Sequence, residues 1–182
     1  MTVLSSFEVL AETLVPSGIL PPTAANPFVI QGYWVQVSLA PGASVSSVNY
    51  NVIFQETTDF TQGSGQKSLA AQFIDPKGNV ELYNQFFAST GRGFLNQQIS
   101  AGQTIIYGIQ CIPPTSSSGE LALPQGGTGW RGTVRIEPSS SGNLIATPTQ
   151  RLLYLNGTSI TKSTALDAVV YPVPTFTGTT RI

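Results

Sequence analysis

The sequence predicts an all-β fold, an antiparallel β-sandwich of the jelly-roll or immunoglobulin-like kind with about nine strands. Three observations predict it. Short runs rich in Val, Ile, Phe, Tyr and Thr recur from residue 28 onward, Gly, Pro, Asn or Ser bounds each run, and helical patterning is almost absent from this region. A closed β-barrel is the alternative that the same pattern allows.

The individual strands are predicted near residues 28–39, 47–56, 67–74, 79–88, 93–99, 103–112, 130–137, 143–155 and 166–171. Alternation supports the first of them, because Val35, Val37 and Leu39 fall on one face of an extended chain. A tight turn is predicted between the third and fourth strands at 75–78. There Pro76 fixes φ for the second turn position and Gly78 tolerates a positive φ.

The first 27 residues differ from the rest and are predicted to form an N-terminal arm or short helix followed by a Pro-rich connector. Residues 5–8 have the S-x-x-E form of a helix capping box. Apolar side chains recur at helical spacing at Leu4, Phe7, Leu10 and Leu14. A helix over about 6–15 and an extended arm both fit. In an extended arm these four side chains need a surface, and we expect a neighbouring copy of the chain to supply it.

Residues 28–182 are predicted to form a single domain that contains a long irregular loop at about 113–129. This stretch holds three prolines, three consecutive serines and a Gly-Gly pair. The strands that follow it are too few to bury a core by themselves, so the loop should join two groups of strands within one domain.

The composition indicates a polar but largely uncharged surface. Only 9% of the residues are charged, against about 25% in ordinary soluble domains. Ser, Thr, Gln and Asn together account for 60 of the 182 residues, so hydroxyls and amides take the place of charges. A net charge of -1 leaves little long-range repulsion between copies, which favours self-association and a homo-oligomer.

The side chains that are missing limit the chemistry. The chain has no histidine, which excludes histidine-based general bases and imidazole metal ligands, and Cys111 is the only cysteine, which excludes an intramolecular disulfide and a cysteine-rich zinc site. Glu56 with Asp59, and Asp75 with Glu81, come nearest to paired acids, but the turn already explains Asp75. We therefore expect no catalytic residue, no metal and no cofactor.

Several partners are not expected. Nucleic acid binding rests on clustered Lys and Arg, and the eight basic residues are scattered. No run of about 18 apolar residues predicts a membrane span. No basic residue precedes the apolar residues at the N-terminus, so no signal peptide is evident, and the compartment stays open, although the composition suits a surface or extracellular assembly.

Aromatic residues beside polar ones supply candidate ligand-binding positions. Aromatic faces with neighbouring amides or guanidinium groups are typical of sugar sites. Six residues have this character, and 129–132 additionally places an indole and a guanidinium between two glycines. The six are Tyr33, Trp34, Tyr83, Asn84, Trp130 and Arg131.

Two functions remain. The first is a non-enzymatic structural or interaction protein that self-associates through its polar uncharged surface and exchanged termini, as in a surface, filament or capsid-like assembly. The second is a carbohydrate-binding β-sandwich module that uses exposed aromatic side chains.

Overall fold

Ten β-strands run through the part of the chain that the computed structural model describes, which comprises residues 3–16, 18–21, 24, 26–59, 69–83, 92–111, 128–157 and 163–182. The strands are β1 (Val3–Thr13), β2 (Phe28–Leu39), β3 (Ser47–Asp59), β4 (Leu69–Ile74), β5 (Val80–Tyr83), β6 (Arg92–Ser100), β7 (Thr104–Cys111), β8 (Thr128–Pro138), β9 (Leu144–Asn156) and β10 (Thr164–Pro172). None of the described residues is helical. The prediction of an all-β chain is confirmed.

The strands form one antiparallel sheet centred on β2. Its order is β5-β4-β7-β2-β1-β8-β3-β6, while β9 pairs with β2 and β10 pairs with β9. Along one edge of β2, residues 28–30 pair with β1 and residues 32–38 pair with β7. The other edge of β2 pairs with β9 from Phe28 to Leu39. Because β1 and β7 share one edge of β2, the sheet divides there into two arms, β1-β8-β3-β6 and β7-β4-β5.

The two arms curl toward each other, so that the sheet forms a half-barrel around an apolar core. The hydroxyl groups of Tyr50 in β3 and Tyr107 in β7 are 2.6 Å apart, although these strands are not neighbours in the sheet. The ring of Phe7 in β1 contacts the rings of Tyr33 and Phe54, with centroid distances of 5.8 and 5.9 Å. These contacts close the core across the curled sheet.

The predicted N-terminal helix is wrong, because residues 3–13 form strand β1. This strand pairs with β8 through residues 3–11 and with β2 through residues 11–13. A bulge between Val3 and Ser5 shifts its alternation by one residue, so that Leu4 and Ser5 are both buried. Further along, Val9, Leu10 and Ala11 are buried in succession. The resulting spacing of apolar residues imitates a helix.

The nine strands predicted from residue 28 onward correspond to β2 through β10. The hairpin between β4 and β5 is confirmed: Asp75 Oδ1 accepts hydrogen bonds from the Lys77 and Asn79 backbone N–H groups, each at 2.8 Å, and Gly78 has a φ of 86°. Of the predicted loop at 113–129, residues 113–127 lie outside the described residues, and residues 128 and 129 begin β8.

After β10 the chain continues along β9. The Val173 N–H donates to Pro148 O, and the Ala146 N–H donates to Thr180 O. Ile182 and Leu144 exchange two backbone hydrogen bonds, at 2.9 and 3.1 Å. The last residues therefore pack on their own chain, on the same edge of β9 that β10 occupies further on.

Candidate interaction strand and polar groove

Strand β10 is exposed along its whole length. All nine of its residues are exposed, among them Leu166 (54%), Val169 (39%), Val170 (62%) and Tyr171 (45%). Among the described strands, β10 pairs with β9 alone. A strand of this kind presents unpaired backbone groups and apolar side chains together, and that combination templates pairing with another strand.

Two local features limit the open edge of β10. The register shifts between Ala165 and Asp167, which leaves Leu166 as a bulged residue. The Asp167 carboxylate accepts a hydrogen bond of 2.8 Å from the Ala168 N–H. Bulges and charged side chains on edge strands are devices that restrain uncontrolled sheet extension. The uncharged stretch from Ala168 to Tyr171 is the part of the edge that they leave open.

A groove of about 460 Å³ lies beside the end of β10. Strands β1, β3 and β8 contribute Ser6, Phe7, Glu8, Thr57, Arg131, Gly132 and Thr133, strands β2 and β9 contribute Gln31 and Gln150, and β10 with the residue after it contributes Tyr171 and Val173. Six of the eleven lining residues carry a hydroxyl or an amide group. Two of the lining residues are aromatic: Phe7, which is buried, and Tyr171, which is exposed.

Hydrogen bonds fix the polar groups of this groove. The buried Gln150 donates from Nε2 to the Glu8 carbonyl oxygen at 2.6 Å and to Gln31 Oε1 at 3.5 Å. The Arg131 Nε atom lies 2.5 Å from Glu8 Oε2, and these two residues are also direct partners in the β1–β8 ladder. Both charged side chains are too exposed for the pair to add much stability. Their charges cancel within the groove.

The structure brings one of the six predicted ligand-binding residues, Arg131, into this groove. Its neighbour Trp130 is 1% exposed and belongs to the core. Gly129 and Gly132 flank Trp130 and Arg131. A β-carbon at these positions would lie 2.2 Å from the backbone oxygens of Val9 and Gln55, respectively, so a larger residue does not fit. These glycines allow close packing of β8 against β1 and β3, and they do not frame an exposed indole.

Tyr33 and Trp34 are also buried, at 0% and 5% exposure. The Tyr33 hydroxyl forms a 2.5 Å hydrogen bond with the Ser5 hydroxyl inside the core. The Trp34 indole occupies a slot above Gly32 and Gly108, where β-carbons would lie 2.0 and 2.3 Å from its ring atoms. The Arg151 guanidinium carbon covers the ring at 4.4 Å from its centroid. Neither ring offers a free face to a ligand.

The remaining predicted positions divide into three groups. The Tyr83 side chain and Asn84 lie outside the described residues. Of the four assembly candidates, Leu4, Phe7 and Leu10 are buried by their own chain, whereas Leu14 is 44% exposed.

The sequence analysis did not single out three residues that line the groove, Gln31, Gln150 and Tyr171. The local signal for each was its place in a predicted strand, which does not distinguish it from its neighbours.

The Asp75 carboxyl and the Cys111 thiol both have structural roles. A hydrogen bond from the Asn79 side chain holds the pKa of the exposed Asp75 carboxyl below its ordinary value of 3.8. Burial raises the pKa of the Cys111 thiol from 9.0 to about 12, so this side chain stays protonated at neutral pH. The Asp59 side chain lies outside the described residues.

Two features do not occur in the described part of the chain. No three side chains of the His, Cys, Asp and Glu types converge there in a way that could hold a metal ion. No helix long and apolar enough to cross a membrane occurs in it.

No protein-family model and no curated protein matches the chain. Among solved structures it is similar to AvmM, which catalyses macrocyclization in alchivemycin A biosynthesis. The two chains are 10% identical, the match covers 91% of this chain and 88% of that one, and the TM-score is 0.16. A similarity of this size carries no argument about fold or function. What the described residues define is a class: an antiparallel all-β chain whose edge strands include β10, with exposed apolar side chains along it.

Proposed function

We propose that the chain is a non-enzymatic structural or interaction protein that associates with further copies of itself through strand β10. The observation that carries the proposal is that this strand is exposed on both faces and that, among the described strands, it pairs with β9 on one side only. Pairing this edge with the same edge of a second copy would satisfy its backbone groups and remove apolar surface of Val170 from water.

A second copy is the occupant that suits this edge best. The stretch Ala168–Tyr171 holds no charged residue, so a two-fold antiparallel pairing centred there places no like charges opposite each other. The net charge of -1 adds little repulsion between whole chains. Both terminal segments pack on their own chain, which favours edge pairing over exchange of the termini.

The test is the mass of the purified chain over a range of concentrations, measured by analytical ultracentrifugation. We expect a reversible dimer or higher assembly that Val170→Lys weakens by at least about tenfold, because each copy loses a buried apolar side chain and gains a charge at the two-fold axis. Val45→Lys is the matched control, since Val45 is exposed in the segment between β2 and β3.

Two results would count against this proposal. A chain that stays monomeric at every accessible concentration would contradict self-association. An assembly that Val170→Lys and Val45→Lys leave equally intact would place the interface elsewhere than on β10.

We also propose that the curled sheet is a two-layer sandwich, with β6-β3-β8-β1 packed on β5-β4-β7-β2-β9-β10. The Tyr50–Tyr107 hydrogen bond and the Tyr33–Phe54 ring contact, at 6.2 Å between centroids, support this arrangement because each joins one proposed layer to the other. Hydrogen bonding between β6 and β5 or β10, which would close the sheet into a continuous barrel, would contradict it and can be tested by the nuclear Overhauser contacts between these strands.

The second candidate function is carbohydrate binding. Stacking on Tyr33, Trp34 or Trp130 is not favoured, because all three rings are buried. Support for this function comes instead from the polar groove beside β10, which holds a different set of residues.

A further inference from the structure

We propose that the groove between Tyr171 and the Glu8–Arg131 pair is a binding site for a neutral polyhydroxylated ligand, that is, a sugar. The site uses the Tyr171 side chain at one end of β10, whereas the proposed self-association pairs the backbone edge of that strand around Val170. It rests on the shape, hydrogen-bonding groups and charge of the groove.

The size of the groove suits a small molecule. Its volume of about 460 Å³ falls in the range of about 300–1,000 Å³ that is typical of small-molecule sites. Its lining comes from six strands of the sheet and the residue after β10. A site built on strands holds its side chains more precisely than one built on loops alone.

The hydrogen-bonding groups of the groove match hydroxyl groups. The Gln31 amide can donate from Nε2 and the Gln150 amide can accept at Oε1. The hydroxyls of Ser6 and Thr133 can do either, and that of Thr57, which donates to the Arg131 carbonyl oxygen, can accept. Gln150 is 6% exposed and its Nε2 is held by Glu8 and Gln31, so its amide is oriented before any ligand arrives. A preoriented group loses little entropy on binding.

The charge of the groove favours a neutral ligand. Glu8 and Arg131 contribute one charge of each sign and are paired with each other. A strongly anionic or cationic ligand would have to compete with this internal pair. A hydroxyl can bond to either member without separating them.

Tyr171 supplies the aromatic surface that a sugar ring requires. The side chain is 45% exposed and lines the groove. An aromatic ring whose face is open to solvent can stack on the apolar C–H face of a pyranose while nearby polar groups bind its hydroxyls. Val170 and Tyr171 are adjacent in β10 and point to opposite faces, so the stacking surface and the Val170 test position are separable.

The test uses the isotopically labelled full chain and a panel of glucose, galactose, mannose, N-acetylglucosamine, cellobiose and lactose. We expect saturable shifts of the backbone amides of Glu8, Gln31 and Tyr171 and of the glutamine side-chain amides. A glycan array distinguishes the source of the ligand: array binding without free-sugar binding indicates a glycan chain, and free-sugar binding indicates a small soluble sugar.

Five variants locate the site. Tyr171→Ala and Gln31→Ala should each weaken binding about tenfold, the equivalent of one lost stacking or hydrogen-bond contact, whereas Tyr171→Phe should retain most of the affinity. Phe176→Ala is the matched control, because Phe176 is an exposed aromatic outside the groove lining. Val170→Lys should bind sugar normally even where it no longer associates.

The inference is overturned if no member of the panel or array binds. It is equally overturned if binding survives both Tyr171→Ala and Gln31→Ala in chains whose folding is intact by circular dichroism.

Discussion

The phenol hydroxyl of Tyr50 lies 2.6 Å from that of Tyr107, in the interior and across the curl of the sheet. The two rings meet edge to face, with centroids 6.3 Å apart. The two residues are 57 positions apart in sequence and belong to strands that are not neighbours in the sheet. This contact is one of the places where the two arms of the fold are held together by a specific polar interaction.

We expect Tyr50→Phe and Tyr107→Phe each to lower the free energy of unfolding by about 1–3 kcal/mol, because each removes a buried hydrogen-bond partner from the other residue. The double variant should cost less than the sum of the two single variants, since it leaves neither hydroxyl buried without this partner. Urea denaturation of the four chains measures the coupling. Tyr171→Phe, which removes an exposed phenol hydroxyl, is the control and should change stability by less than about 0.5 kcal/mol. Strictly additive effects would show that the two hydroxyls do not interact.

The slot beneath Trp34 makes a second prediction. A β-carbon at Gly108 would lie 2.3 Å from the indole Nε1 atom, so Gly108→Ala must displace the ring. We expect a loss of about 1–3 kcal/mol in the free energy of unfolding, typical of overpacking. In a Trp34→Ala background the same change should cost nearly nothing, because the ring is gone. An equal cost in both backgrounds would mean that Gly108 is required by the backbone conformation and not by the space that the Trp34 indole occupies.

The pH dependence of stability follows from the buried hydroxyl and thiol. Burial raises the pKa of Tyr50 from 10.0 to about 12 and that of Cys111 from 9.0 to about 12. The folded chain therefore keeps protons that the unfolded chain releases, so the stability from these groups is complete below about pH 9 and is lost as pH rises toward about 12. The pKa of Asp75 is lowered, so its contribution is present above 3.8 and is lost in more acidic solution.

With no histidine in the chain, we expect the free energy of unfolding to stay flat between about pH 6 and pH 8 and to fall at alkaline pH. Urea titrations at several pH values, read by circular dichroism, measure this profile. Tyr50→Phe should reduce the alkaline slope, and Tyr171→Phe should leave it unchanged. A steep change between pH 6 and pH 8 would contradict the assignment of these groups.

Asp167 provides a prediction for the open edge. Its carboxylate accepts a hydrogen bond from the Ala168 N–H, so Asp167→Ala removes both a charge and this backbone contact from β10. We expect stronger self-association and a greater tendency to form large assemblies, measured by light scattering. Asp75→Ala is the control, because it also removes one exposed carboxylate but from the β4–β5 turn. Equal behaviour of the two variants would indicate a net-charge effect and no role for the strand edge.

Much of the secondary structure could be predicted from the sequence because it depends on local patterns. Strand β2 alternates Val35 and Val37 with polar neighbours and was placed at its observed bounds. The β4–β5 hairpin depends on Asp75, Pro76 and Gly78, which lie within four residues of one another. Strand β1 was missed because its bulge and the successive burial of Val9, Leu10 and Ala11 erase the two-residue period.

The candidate sites could not be predicted in the same way. Whether an aromatic ring is exposed depends on which strand crosses it, and Trp34 is buried by Gly108 of β7 and Arg151 of β9. The groove likewise joins Glu8 to Gln150 across 142 positions of sequence. No local pattern encodes contacts between residues so far apart.

The sequence by itself determined an all-β chain, sparse in charge and without histidine, because composition and two-residue alternation are properties of each segment alone. Only the tertiary structure decided that Trp34 and Trp130 are enclosed while Val170 and Tyr171 are open to solvent. The physical reason is that burial is set by the neighbours that strand pairing brings together. An apolar strand pattern has the same appearance whether its strand lies inside the sheet or at its edge.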